Sequence, residues 1–331
     1  MNQKSTPGYL RYYTMLEQYQ QAQILFTAIH LNVFTYLNEW TSVQQAAHKT
    51  GYQEFALGHF LLSLSALGFL ERDGERYRNT PDSSAFLSKD SPLYIGETLL
   101  FREKMTSLQQ LGQQISGEIE RAPTYDFAML ARVTVPEMYA TGRVSSFLEA
   151  MKELFPQNNA PVKMLDLGGG SGILAMEFAK QYPNSSAVVF EHPSVAATSR
   201  MILHEQGAPK NVSVIEGDFN KDPFGGPYDL LVASGILDFA AEHLSDFLQK
   251  IANTLSPKAY LLLIGQLSNN QEQPPHRLVS WLTGRLNGLP LAPSGYDVEN
   301  ALKGAGVFRL REVNAGRFCG LLYQKENNDN E

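Results

Sequence analysis

The sequence predicts an α/β protein in which a mostly helical N-terminal part precedes a doubly wound, mainly parallel sheet. Three observations carry that prediction. Before Pro156, apolar residues recur three and four apart, the spacing of amphipathic helices. After it, short β-rich runs alternate with helical ones, the pattern of a sheet covered by helices on both faces. Where the first of those strands meets its helix, Gly168-Gly169-Gly170-Ser171-Gly172 puts four glycines in five positions.

Taken in order, residues 8–38 predict one helix with a broad apolar face that includes Tyr12, Met15, Leu16, Tyr19, Ile24, Leu25, Ala28 and Ile29. Ser42 then caps a short helix that Gly51 closes, and a second helix runs from Glu54 to Gly68. Two short strands around Asp73-Gly74 follow as a hairpin. Helix, turn, helix and hairpin make a winged-helix pattern. A DNA reader needs a basic face on its recognition helix. Residues 41–90 hold five Lys or Arg against six Asp or Glu, and the second helix carries Glu54, His59 and leucines. So apolar a unit is expected to pack against another subunit. Residues 91–155 predict helices broken near Pro92, Pro123 and Pro136. Beyond Pro156, VKMLDLG, AVVFEHP, VSVIEGDF, YDLLVASG and AYLLLIGQL predict buried parallel strands. FRLREVNAG and GLLYQKE add a closing antiparallel hairpin, residues 268–275 an exposed loop, and 326–331 a fraying tail.

A length of 331 residues suits about two domains. The net charge of −7 argues against a general nucleic-acid or anionic-membrane binder. The single cysteine, Cys319, excludes an intramolecular disulfide and a cysteine-rich zinc site. No run approaches the roughly 20 apolar residues of a membrane span, and the N-terminus lacks the apolar core of a secretory signal. A cytoplasmic protein with no nucleic-acid or membrane partner is expected.

The glycine cluster lets the backbone turn tightly and approach a ligand closely. A dinucleotide fingerprint needs G-x-G-x-x-G, but position 173 is Ile. A P-loop needs Lys followed by Ser or Thr, but Ile173-Leu174 follow the glycines. Glu191 ends the next strand, where a carboxylate accepts from a ribose diol. Asp218-Phe219 ends the third, where a carboxylate can accept from an adenine amino group and a ring can lie against the base. Three successive strand ends therefore point to one adenosine-containing ligand.

Asp166-Leu167-Gly168-Gly169-Gly170, Glu191-His192-Pro193 and Gly217-Asp218-Phe219 resemble the DxGGG, D-L-P and G-D-x-F patterns of S-adenosylmethionine-dependent small-molecule O-methyltransferases of the plant caffeate type and their bacterial relatives. Glu191 stands where that family has Asp. The resemblance covers nearly the whole chain. It implies a winged-helix dimerisation domain (1–95), a helical linker lining the substrate pocket (96–155) and a Rossmann-like class I methyltransferase domain (156–331). It implies S-adenosyl-L-methionine as cofactor, held by Asp166, Gly168, Gly170, Glu191, Asp218, Phe219 and Ser234. It also implies a homodimer, a small-molecule methyl acceptor and no metal.

One motif departs. The family's base is a histidine in an L-H-D-W segment after the fourth strand. Here the segment is Ser234-Gly-Ile-Leu-Asp-Phe-Ala-Ala-Glu-His243, and Leu237 or Asp238 falls at the histidine's place, depending on the direction of counting. A phenol with a pKa of about 10 benefits from a base. An activated ring carbon or an acidic hydroxyl needs little beyond orientation. Asp238 is a weak base, an anchor for a polar group of the acceptor, or a helix N-cap before Phe239-Ala240-Ala241-Glu242. His243 either faces the pocket or lies on a solvated helix. His276, Tyr296 and His204 are weaker candidates, His204 as a structural residue. Phe101, Met105, Met138, Tyr139, Phe147, Trp281 and Leu289 are either core or the wall of an apolar, aromatic acceptor pocket. The expected activity is methyl transfer to oxygen or carbon of a small molecule without the usual histidine. The alternatives are a protein that binds the cofactor without transferring methyl, and a DNA-binding regulator.

Overall fold

The computed structural model describes residues 8–121, 125–156, 161–265 and 275–327. Pro123, most of the expected 268–275 loop and most of the 326–331 tail lie outside the described residues. The chain divides into two compact units, Met1–Phe101 and Arg102–Glu331.

The first unit starts with α1 (Leu10–His30). The single helix expected over 8–38 stops there. Asn32 takes the left-handed conformation at φ 55°, and a 3-10 turn, Val33–Leu37, follows. Asparagine tolerates that conformation better than most residues, and its Oδ1 accepts from the Thr35 hydroxyl at 2.7 Å. Next come β1 (Thr41–Ser42), α2 (Val43–Thr50), α3 (Glu54–Ala66), β2 (Leu70–Asp73), β3 (Arg76–Asn79), α4 (Pro81–Phe86) and α5 (Gly96–Met105). Ser42 forms a reciprocal capping box: its hydroxyl accepts from the Gln45 amide at 3.2 Å, and the Gln45 side chain accepts from the Ser42 amide at 2.9 Å. The helices and the three-stranded wing, ordered β1-β3-β2, enclose Phe34, Leu37, Leu61, Leu64 and Tyr77.

The second unit continues with α6 (Leu111–Ser116), α7 (Phe127–Val133), α8 (Val135–Ala140) and α9 (Arg143–Leu154). Pro136 separates α7 from α8 because it occupies the first turn of the latter, where its missing N–H costs nothing. The sheet follows with β4 (Lys163–Leu167), α10 (Ile173–Gln181), β5 (Ser186–Glu191), α11 (Pro193–Glu205), β6 (Val212–Glu216), β7 (Tyr228–Ser234), α12 (Leu244–Thr254) and β8 (Leu255–Gly265). It closes through α13 (Pro275–Ser280), α14 (Leu282–Leu286), α15 (Gly295–Gly304), β9 (Val307–Ala315) and β10 (Phe318–Lys325).

The seven strands are ordered β6-β5-β4-β7-β8-β10-β9. The first five run parallel, and β10 is antiparallel to both β8 and β9. The expected closing hairpin is therefore present. Both faces are covered over β4, β5, β7 and β8, which explains why those strands read as near-continuous apolar runs; β6, expected to be buried, is an edge strand whose residues are all half-buried or exposed. Met164, Leu230 and Val232 point to one face, into a core with Phe147, Met151, Phe178 and Tyr182. Leu165, Leu167, Leu231 and Ala233 point to the other, against Phe247, Leu248, Ile251, Val298 and Leu302. The chain turns outward from β4 to β5 and β6, then returns to β7 on the other side of β4. Sheets of this kind bind ligands at the carboxyl ends of the strands flanking that reversal.

Replacing Ser42 with Ala should remove the capping box and destabilise the first unit by about 1 kcal/mol. A urea or thermal denaturation of S42A against wild type measures it, and a change within experimental error would show that the box contributes nothing.

Candidate functional site

The loop from β4 to α10 is built around the glycines. Gly168, Gly170 and Gly172 all adopt positive φ, at 64°, 56° and 72°. A Cβ on Gly168 would lie 2.4 Å from Cγ2 of Ile236, so the β4 turn and the segment after β7 pack too closely for any side chain. A Cβ on Gly169 would meet the Asp166 carboxyl at 2.6 Å. The Gly170 carbonyl accepts from the Ser199 hydroxyl of α11 at 2.5 Å.

Two carboxylates are sunk beneath this loop. Glu191, at the end of β5, accepts from the Gly170 amide at 2.7 Å and from its neighbour's, His192, at 2.8 Å. Burial pushes its carboxyl up, and those two amides pull it down. Each oxygen keeps capacity for a further donor. Asp166, in β4, is fully enclosed. Burial pushes its carboxyl up to about 7. The Arg143 guanidinium lowers it, the Glu191 charge raises it, and the Ala175 amide lowers it again.

Arg143, the first residue of α9, was not singled out by sequence. It donates through Nη2 to the hydroxyl of Ser234 at the end of β7. Burial lowers its pKa, whereas Asp166 and Glu137 favour its charged form. Its Nε is buried without a hydrogen-bond partner among the described residues. Glu137 pairs with Arg102 at 2.9 Å and Arg317 at 3.1 Å. The sequence signal was weak: a helix-starting arginine after Gly142 looks like any solvated charge.

Asp218 lies after β6. Its carboxylate is paired with Lys221 at 2.9 Å and accepts from the Asn220 amide at 2.9 Å, and the Lys221 contact first of all holds it below the usual carboxylate range. The Phe219 ring is half-buried, 5.7 Å from Phe247. All seven residues expected at the cofactor thus stand at, or just beyond, the carboxyl ends of β4, β5, β6 and β7.

Beyond them opens a cavity of about 480 Å³ lined by Tyr125, Phe127, Asn220, Phe239, Ala240, Glu242, His243, Gly284, Asn287, Gly288, Leu289 and Pro290. Tyr125, Phe127, Phe239 and Trp281 form a closed ring of edge-to-face contacts, with centroids 5.3 to 6.0 Å apart. Of the wall residues expected from sequence, Leu289 lines this cavity and Trp281 backs it. Phe147 and Met138 are instead core, Met138 with its sulfur against the Ser171 hydroxyl at 3.4 Å. Tyr139 donates to Glu177 at 3.0 Å, and Met105 does not line the cavity. Phe101 belongs to the first unit. Tyr125, Phe127 and Phe239 were missed, because a loop residue, the first residue of a short helix and the end of a 3-10 turn carry no periodicity.

Asp238 is buried in a 3-10 turn, Leu237–Phe239. Helix α12 begins only at Leu244, with His243 in the N-cap position, so Asp238 is not its cap. Asp238 is not among the cavity-lining side chains, whereas His243 is. Tyr296 is an exposed residue of α15, and His204 lies in the last turn of α11, on a separate shallow depression. The His276 side chain lies outside the described residues. Among the described residues no three His, Cys, Asp or Glu side chains cluster as a metal site, and no helix is long and apolar enough to cross a membrane.

Residues 120–284 match the model of an O-methyltransferase domain, and residues 13–89 that of an O-methyltransferase dimerisation domain. Human acetylserotonin O-methyltransferase is 30% identical over 287 residues, spanning 80% of this chain and 83% of the relative. The chain belongs to the O-methyltransferase family. Like that family, it is an S-adenosyl-L-methionine-dependent methyltransferase of small molecules. The N,N-dimethyltransferase OxyT of Streptomyces rimosus is 25% identical over 319 residues, 92% of this chain and 91% of the relative. Two solved structures share the fold. An O-methyltransferase family protein from Burkholderia thailandensis has a TM-score of 0.77 at 20% identity, covering 98% of this chain and 100% of that one. Human N-acetylserotonin methyltransferase in complex with SAM has a TM-score of 0.68 at 24% identity, covering 99% and 100%.

The raised Asp166 carboxyl has a testable consequence. A carboxyl whose folded pKa lies above its unfolded value of about 3.9 stabilises the fold only while protonated. Its contribution is full below about pH 4 and is lost as pH rises towards 7. D166N should therefore gain stability relative to the wild type between pH 5 and pH 8 in urea denaturation of the ligand-free protein. A difference that stays flat over that range would contradict the shift.

Proposed function

We propose that this protein transfers a methyl group to a hydroxyl of a small, flat, aromatic molecule held in the Phe239 cavity. One observation carries the reading. The cavity wall begins one residue beyond each of two site residues, at Asn220 after Phe219 and at Phe239 after Asp238. An acceptor there lies next to the cofactor residues, between aromatic faces suited to a ring.

The chain's residues fit the cofactor. Gly170, whose Cβ position meets no atom nearer than 3.8 Å, leaves room for close backbone approach, Gly168 lets the turn pack on Ile236, Glu191 offers acceptors for a ribose diol, and Asp218-Phe219 suit the adenine. Arg143, with a buried donor lacking a partner, suits the carboxylate of the methionine end, and Ser234 holds the guanidinium in place. When bound, the cofactor supplies an electrophilic methyl on a sulfonium. The aromatic wall orients the acceptor oxygen in line with that methyl, and orientation is the main source of rate in such a displacement. The acceptor's hydroxyl proton must also leave. Leu237 or Asp238 falls where the family has its histidine, and we assign the carboxylate of Asp238, one residue before the cavity-lining Phe239, to orient the hydroxyl or take its proton. A second reading has an observation of its own: the imidazole of His243 lines the cavity, five residues further on.

Incubation with methyl-labelled cofactor and a panel of hydroxylated aromatics should yield a labelled methyl ether. Binding of cofactor with no transfer to any extract component would favour a protein that has lost the chemistry. With an acceptor in hand, D238N should keep cofactor affinity and lower kcat. A general base is worth about 10²–10⁴-fold, and a loss under about tenfold assigns Asp238 to positioning. H243A abolishing turnover in a folded protein would move the role to His243.

We further propose a homodimer built on the first unit. Tyr9, Tyr12, Tyr13, Met15, Leu16 and Tyr19 of the α1 region are all more than half exposed, an unusual run of large apolar and aromatic side chains left uncovered in one stretch of chain. This helix falls largely within the segment matched as a dimerisation domain. Light scattering at tens of micromolar should give twice the chain mass, and L16E with Y12E should reduce it. A monomeric wild type would contradict the proposal.

A further inference from the structure

Lys250 of α12 lines neither the cavity nor the glycine loop. Its ammonium donates to the carbonyl of Phe219 at 2.6 Å and to that of Asp222 at 3.0 Å. It also lies 4.3 Å from the centre of the Phe224 ring. Burial lowers its pKa, and Asp218 and Asp222 raise it. The segment it grips, Gly217–Asp222, has no regular secondary structure to hold it. Instead the Asp222 carboxylate accepts from the Asp218 amide at 2.7 Å, and the amides of Lys221 and Asp222 both donate to the Asp218 carbonyl.

The Phe219–Asn220 peptide links the lysine to the site. A trans peptide is planar, so its C=O and N–H point in opposite directions. With the Phe219 carbonyl drawn to Lys250, the Asn220 N–H is turned away from α12, and it donates to the Asp218 carboxylate at 2.9 Å. Lys250 ammonium, peptide plane and Asp218 carboxylate form one continuous hydrogen-bonded chain. Successive hydrogen bonds of this kind polarise one another.

We propose that Lys250 is a positioning residue for the adenosine half of the cofactor: it fixes the Phe219–Asn220 peptide plane and, through it, the direction of the Asp218 carboxylate. The proposal rests on the reading that Asp218 and Phe219 hold the adenine. It distinguishes Lys250 from Lys221, which pairs with the same carboxylate directly but from a fully solvated position. Removing Lys221 leaves the peptide plane in place.

The test is calorimetric titration of S-adenosylhomocysteine and of 5′-methylthioadenosine, which lacks the amino-acid end, into the full-length protein. K250M should weaken both ligands by the same factor, about 10- to 150-fold, the range for a lost charged hydrogen bond. K221M should weaken them by less than about threefold, as for other exposed pairs. K250R, which keeps a charged donor, should recover most of the loss. In a D218A background K250M should cost little more, because the lysine acts through that carboxylate. If K250M does not fold, K250Q replaces it with one donor retained and a smaller loss expected. Unchanged affinity in a folded K250M or K250Q overturns the proposal, as does a loss that simply adds to that of D218A. If the wild-type protein binds neither ligand, the adenine reading fails with it; if it binds both, only the role of Lys250 is at stake.

Discussion

The site depends on how closely β4 and β7 approach at the point where the strand order reverses. The space above Gly168 is already taken by Ile236, so the β4 turn must be side-chain-free and left-handed there. That packing fixes the glycine loop and the segment that runs on to Asp238 and Phe239 in one step. It also sets the end of β4 beside the end of β5, so that the Gly170 amide meets the Glu191 carboxylate. A larger residue at 168 would push the end of β4 away from the segment after β7.

Burying charge is costly unless it is paired and hydrogen-bonded. Asp166, Glu191 and Arg143 lie close together under the loop. Glu191 is satisfied by two backbone amides, and Asp166 by one amide and the field of Arg143. Arg143 keeps an unpartnered Nε. The arrangement is strained electrostatically, as binding sites commonly are.

Much of this was legible in the sequence, for identifiable reasons. The strands were visible because a sheet covered on both faces needs unbroken apolar runs. The glycine loop, Glu191 and Asp218 were visible because each ends such a run, and the chemistry of a strand end is local. Ser42 and Gly51 were visible because caps are short-range. Asn32 hid the end of α1, since the apolar spacing continued through the 3-10 turn that follows. Arg143 and Lys250 were not legible, because each acts on a partner far along the chain: Ser234 for one, Phe219 and Asp222 for the other. Phe147 and Met138 looked like pocket wall but are core, because helical spacing alone does not say which neighbour an apolar face meets.

The same contrast separates the two halves of the site. The strand-end half is made of backbone and of carboxylates sunk beneath the glycine loop. The aromatic half is assembled from the residues near 125, 239, 281 and 289, brought together only by the fold. Tyr125, Phe239 and Trp281 belong to neither of the second unit's two buried clusters. Their edge-to-face contacts are made chiefly with one another, each pair worth about 0.5–1.5 kcal/mol beyond its buried area. Exchanging one of them reshapes the cavity at modest cost to the sheet.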